Sequence, residues 1–144
     1  MLLLAASLAG CKKPVQRGSI GETLVQTRYQ LTVVSVKVCP VDPAQAIYKG
    51  GKDRIVLDIE LIVESTGRGT VAYVPGYAQV IDSTGASYGP SPLDFCARSS
   101  NDLVYLEKGK PLRVTLPFSV PEKAHGLKLN YSTLEQAVEV DLGT

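Results

Sequence analysis

The chain has no tryptophan, two phenylalanines and one histidine among its 144 residues. Antibody-type immunoglobulin domains pack a core tryptophan against their disulfide, so that variety is a poor fit. The lone histidine, His125, lies in the polar stretch PEKAHG. A catalytic base there would need a nucleophile and an orienting group beside it. No Ser-x-x-Lys motif supplies one. A histidine-based metal site is equally unsupported, and the stretch Cys39-Pro40-Val41-Asp42 offers no second thiolate. No cofactor is expected. Charge of either sign is also scarce as a cluster. Fifteen Lys and Arg offset fourteen Asp and Glu, without the basic face that nucleic acid requires. No apolar run approaches the roughly 20 residues that cross a bilayer as a helix.

What is present begins at the N-terminus. Residues 1–10 read MLLLAASLAG and carry no charged side chain, and Cys11 follows. The apolar stretch 2–8, followed by small residues, matches the h-region and cleavage region of a secretory signal, although no basic residue precedes it. Leu8-Ala9-Gly10-Cys11 resembles the lipobox of bacterial lipoproteins. That resemblance implies a diacylglycerol on the Cys11 thiol, cleavage just before it, and often acylation of the new amine. Two or three acyl chains on one residue suffice for stable anchoring, at about 0.8 kcal/mol per buried methylene. Lys12 at the second mature position resembles the signal that sorts Gram-negative lipoproteins to the outer membrane. The expected organisation is a signal at 1–10, a lipidated cysteine and tether at 11–28, and a folded domain at 29–144. The expected location is exported, lipid-anchored to the cell membrane or outer membrane.

From Tyr29 onward, apolar and polar residues alternate. Ile55, Leu57, Ile59, Leu61 and Val63 share one parity, while Asp58, Glu60 and Glu64 share the other. This is the pattern of a strand with one face buried. Leu112, Val114, Leu116, Phe118 and Val120 repeat it, as do Leu127, Leu129 and Tyr131, and then Val138, Val140 and Leu142. In the first strand the parity shifts between Val33 and Val34, which predicts a β-bulge. Turn residues punctuate the runs at 65–69, 82–85, 107–110 and 121–126. The spacing predicts an all-β antiparallel sandwich of about seven strands. Its two longest irregular stretches are 40–51 and 89–101.

The segments VESTGRG, VIDSTGASY and LEKGKPLRVTLPFSVPEKAHGLKLNY follow one another in this order. Over about residues 29–142 the chain resembles the immunoglobulin-like, telokin-like domains carried by many bacterial lipoproteins. The resemblance implies the sandwich fold. It carries no catalytic residues over to this chain, because that family has none established.

With Cys11 lipidated, Cys39 and Cys96 remain as an even pair in an exported protein, which suggests a disulfide joining the two irregular stretches. Tyr77, Tyr88, Pro90, Pro92 and Phe95 are candidates for a rigid aromatic surface facing a partner. Asp58, Glu60 and Glu64 read as a solvated outer face, with Ca²⁺ binding as the alternative. The function expected from all this is a non-enzymatic, membrane-anchored binding or accessory module, with a protein or other envelope component as partner. The alternatives are an inhibitor of an extracellular protease, inserting the 89–95 loop, and a purely structural envelope protein. A hydrolase built on the sandwich is the least supported.

Overall fold

The computed structural model describes residues 14–143. The long alternating runs form the long strands: β3 (Tyr29–Cys39), β4 (Arg54–Ser65) and β9 (Leu112–Pro121). Shorter strands complete the chain: β1 (Val15–Ser19), β2 (Thr23–Val25), β5 (Ala72–Tyr73), β6 (Ala78–Ile81), β7 (Ser87–Tyr88), β8 (Val104–Tyr105), β10 (Lys128–Ser132) and β11 (Ala137–Asp141). Two 3₁₀ helices, Pro43–Lys49 and Pro75–Tyr77, lie between strands. One sheet has the order β1-β11-β10-β6-β7 and the other β2-β3-β4-β9; β5 and β8 form a small third ribbon. Seven strands have four or more residues, in line with the number expected from the spacing.

The two main sheets bury one face each. Leu31, Val33, Leu57, Ile59, Leu61, Val63, Val114, Leu116, Phe118 and Val120 come from one sheet. Val80, Leu129, Tyr131, Val138 and Val140 meet them from the other. Each fully buried aliphatic or aromatic side chain stabilises by about 1.5–3 kcal/mol. In the absence of tryptophan, tyrosines pack against one another at one end of the core. Tyr131 meets Tyr29 edge-on at 5.6 Å and lies parallel to Tyr73 at 6.4 Å. The β3–β4 register slips between Val33 and Ser35, where the parity of the sequence shifts. Beyond that bulge Cys39 pairs with Val56, and Lys37 with Asp58.

Two features differ from the sequence expectation. Residues 15–25 are not a tether. β1 pairs with β11 from Val15↔Ala137 to Ser19↔Asp141, and β2 pairs with β3. The backbone N–H groups and carbonyls of this segment complete two sheet edges, and Leu24 is buried in the core. The folded domain therefore starts well before residue 29. The second difference is that the β1–β11 pair is parallel, so the sandwich is antiparallel except at that edge. Unlike a hairpin, a parallel pair leaves no local turn signature between its strands, since they are joined through a long connection.

The chain enters the fold at the tyrosine end. Pro14 O accepts from Ala137 N at 3.1 Å, and Thr27 N donates to Gln136 Oε1 at 3.0 Å. From Tyr29, β3 then runs eleven residues to Cys39, about 33 Å at a strand's rise per residue.

Candidate functional site at the disulfide end

Cys39 closes β3 with its side chain on the outer face of the β2-β3-β4-β9 sheet, and it is buried. Cys96 belongs to the irregular segment that crosses this face. Their sulfurs are bonded at 1.97 Å, with the Cα atoms 5.7 Å apart. The crossing segment is also hydrogen-bonded to β9. Ser91 N donates to Pro117 O at 2.7 Å and Ser100 N to Thr115 O at 3.0 Å. Thr115 N in turn donates to Ser100 Oγ at 3.2 Å. The disulfide thus fixes the middle of a strap whose two ends are held by β9.

On the other side of the bond stands the helix Pro43–Lys49. Asp42 caps it, accepting from Ala44 N at 2.9 Å, and Gly50 ends it with φ +88°. Its last carbonyl, Lys49 O, accepts from the Ser119 hydroxyl of β9. Arg54 reaches the same serine, donating from Nε to Oγ at 3.0 Å and from Nη2 to the carbonyl at 2.7 Å. Between helix and strap lies a groove of about 250 Å³, lined by Val41, Tyr48, Leu93 and Phe95 together with Gln45 and the carboxylates of Asp42 and Asp94. Tyr48 is 62% exposed and Leu93 42%. Ile47 on the helix and Val38 on β3 are exposed as well. This end of the sandwich therefore presents large apolar side chains around a covalently pinned groove.

Asp58 departs from the reading of its strand. Its outer-facing neighbours behave as a solvated face. Glu60 pairs with Arg113, and Glu64 accepts from Gln30 Nε2 at 3.3 Å and Gly109 N at 3.1 Å. Asp58 is 8% exposed. A carboxylate oxygen of Asp58 and the two disulfide sulfurs lie within 4.8 Å of one another. Its Oδ1 is buried with no hydrogen-bond partner. Desolvation raises the Asp58 pKa above the ordinary value, opposed by a hydrogen bond from the Ala97 backbone. Nothing in the alternation distinguishes Asp58 from Glu60. Only the strap laid over it does.

The five residues expected to form one aromatic surface are divided. Tyr77 packs edge-on against Tyr131 at 6.0 Å. It lines a separate cavity of about 200 Å³ at the chain-entry end, with Arg28, Tyr29 and Leu134. Tyr88 is half-buried, donates to Asp82 Oδ2 at 2.9 Å, and lies under the Arg54 guanidinium at 5.5 Å. Pro90 is half-buried and Pro92 exposed. Phe95 alone reaches the groove. Ile47, Tyr48 and Val38 were not singled out by the sequence. An apolar Ile-Tyr pair inside an irregular stretch was the available signal. Cys11 and the cleavage motif Leu8-Ala9-Gly10 lie outside the described residues.

Two serine arrangements carry no catalytic geometry. Gly85-Ala86-Ser87-Tyr88-Gly89 has the spacing Gly-x-Ser-x-Gly, but an elbow needs a strand-to-helix turn. Ser87 instead sits in the β6–β7 hairpin and donates to Gln79 Oε1. Ser83 Oγ meets His125 Nε2 at 3.2 Å, joining two exposed turns that Ser83 N and His125 O also link at 3.0 Å.

Two packed sheets with these inner faces define a β-sandwich. Its fold is shared by the yjhA protein of Bacillus subtilis, 21% identical, with a TM-score of 0.61 over 88% of this chain and 99% of that one. MPT63, a secreted protein of Mycobacterium tuberculosis, is 14% identical, with a TM-score of 0.63 over 89% and 97%. The Bacillus subtilis candidate lipoprotein ycdA is 14% identical, with a TM-score of 0.62 over 85% of this chain and 39% of that longer one. No family model matches the chain, and no curated protein matches it.

Proposed function

We propose that this protein is an exported, lipid-anchored, non-enzymatic module that holds its disulfide end away from the membrane and binds a protein partner of the cell envelope there. The observation that carries this reading is the opposition of the two ends. The chain enters beside Ala137, at the Tyr29 end of β3, and the pinned groove lies at the Cys39 end. An anchor on Cys11 lies three residues before Pro14, a reach of at most about 11 Å. Such a short link would set the entry end against the headgroups and leave the groove about 33 Å further out. The disulfide suits an oxidising compartment. The exposed apolar side chains of Ile47, Tyr48 and Leu93 suit a protein partner, whose recognition would centre on a few such anchors.

The test has two arms. Mass spectrometry of the mature protein from the membrane fraction should find Cys11 as an acylated N-terminus; an unmodified Cys11 removes the anchor. Cross-linking from position 48 should capture one partner reproducibly. That yield should drop with Ile47→Asp or Leu93→Asp and not with Leu134→Asp at the other end. Equal loss from both ends, or none from either, removes the groove as the binding surface.

A second reading is favoured by the strap itself. Leu93 is exposed on a segment held at Ser91 and Cys96, as an inserting protease-inhibitor loop would be. Micromolar inhibition of an extracellular protease, abolished by Leu93→Asp, would support it over the first.

A further inference from the structure

We propose that reduction of the Cys39–Cys96 bond converts the space beneath the strap into a site for a zinc-class divalent cation, with the two thiolates and the Asp58 carboxylate as its protein ligands. The donor atoms are already gathered: both sulfurs and a carboxylate oxygen lie within 4.8 Å of one another. They come from three separate parts of the chain, which is why no local spacing announces the set. Cys39 and Asp58 stand on adjacent paired strands, offset by two residues on the same outer face, and are held by the sheet. Cys96 is the exposed member, on a segment without regular structure. It is the ligand whose side chain must shift when the bond opens, since the other two are fixed by the sheet.

The second observation is the state of Asp58. Its Oδ1 is buried with no partner, on a side chain more than nine-tenths buried. Buried carboxylate oxygens are ordinarily hydrogen-bonded, and an orphan calls for an explanation such as an ion. A cation beside the sulfurs would satisfy it. Two thiolates and one carboxylate, with an open fourth position, fit the tetrahedral preference of zinc, at about 2.3 Å to sulfur and about 2.0–2.2 Å to oxygen. Tetrahedral bonds of that length separate two sulfurs by roughly 3.8 Å. The sulfurs must therefore part from bonding distance while the carboxylate closes in. The exposed side of Cys96 leaves room for water as the fourth ligand.

The chemistry balances with a dithiol as reductant. Its two thiols deliver two electrons and two protons to the S–S bond, giving the Cys39 and Cys96 thiols and the cyclic disulfide of the reductant. The cation then displaces both thiol protons as it binds. Oxidation by a disulfide donor expels the cation and restores the bond, so the same strap is either covalently locked or metal-held.

Full-length chain carrying Cys11→Ser, so that only this pair titrates, should be reduced with a water-soluble phosphine and titrated with Co²⁺. The expected result is a thiolate-to-cobalt charge-transfer band at one ion per chain, bleached by Zn²⁺, and absent from the oxidised protein. Asp58→Asn should weaken Co²⁺ binding by at least about tenfold, with the circular dichroism of the reduced chain unchanged. No band in the reduced, folded protein overturns the proposal. So does a reduced chain that stays unfolded with metal present, or an Asp58→Asn chain that binds as tightly as the parent.

Discussion

Tyr29 and Tyr131 bring the same ring into the same core, yet their hydroxyls are treated oppositely. Tyr131 Oη accepts from Val74 N at 3.2 Å, whereas the Tyr29 hydroxyl is buried with no partner. Removing an unpaired buried hydroxyl relieves a desolvation penalty, while removing a paired one strands its partner. Tyr29→Phe should therefore leave stability unchanged or raise it. Tyr131→Phe should lower it by about 1–2 kcal/mol, leaving Val74 N unpaired. Urea unfolding of the two variants beside the parent checks both signs. Asp58 obeys the same logic with a charge. Its pKa is raised in the folded state by burial, so its contribution to stability is complete below the unfolded value of about 3.9 and is lost as pH rises through the folded value. Asp58→Asn should raise the melting temperature at neutral pH, and the gain should fade on acidification.

At the scale of elements, the bulge in β3 decides which way the end of the strand faces. Without the slip between Val33 and Ser35, Cys39 would point into the sandwich and could not meet the strap, because one residue of register reverses every side chain. The parity shift made the bulge legible in the sequence. It did not reveal that the strap would lie over the outer face and bury Asp58. The disulfide closes a separation of 57 residues. Replacing both cysteines by serine should cost about 2–4 kcal/mol, measured by denaturant unfolding of the oxidised parent against the variant. Hydrogen exchange should show the loosening at 40–53 and 89–101, while the β4–β9 ladder stays protected. In the β6–β7 hairpin the turn residues were read directly. Asp82 Oδ1 accepts from Thr84 N at 2.9 Å and Ala86 N at 3.1 Å, and Gly85 takes φ +86°. These bonds, the Thr84 hydroxyl foremost, hold the Asp82 carboxyl below its usual range.

Across the whole molecule, the tyrosine end makes stability sensitive to alkali. Burial is the leading cause that pushes the phenol of Tyr131 up to about 12, and those of Tyr29 and Tyr73 higher still. A raised folded value means that the unfolded chain releases these protons first. Stability from all three phenols is full below the unfolded value of about 10 and falls as pH rises above it. Unfolding by alkali should therefore be cooperative, with tyrosinate absorbance of the three buried rings rising together with loss of far-ultraviolet circular dichroism. Gradual titration of all tyrosines before any unfolding would contradict this packing. The same end receives the chain at Pro14 and the opposite end carries the groove, so the sandwich has a polarity that no single element possesses.

The count of cysteines left Cys39 and Cys96 as a candidate pair, and alternation with period two, interrupted by turn residues, was sufficient by itself to determine the sandwich, its long strands and the bulge. These are local consequences of which side chains seek water and which backbones tolerate a turn. The tertiary structure alone decided that β1, residues 15–19, belongs to the fold, because its partner β11 lies more than a hundred residues away. It alone gathered Cys39, Asp58 and Cys96, and parted Tyr77 from Phe95. Packing two sheets and laying a strap across one of them brings distant residues together, and no periodicity encodes that juxtaposition.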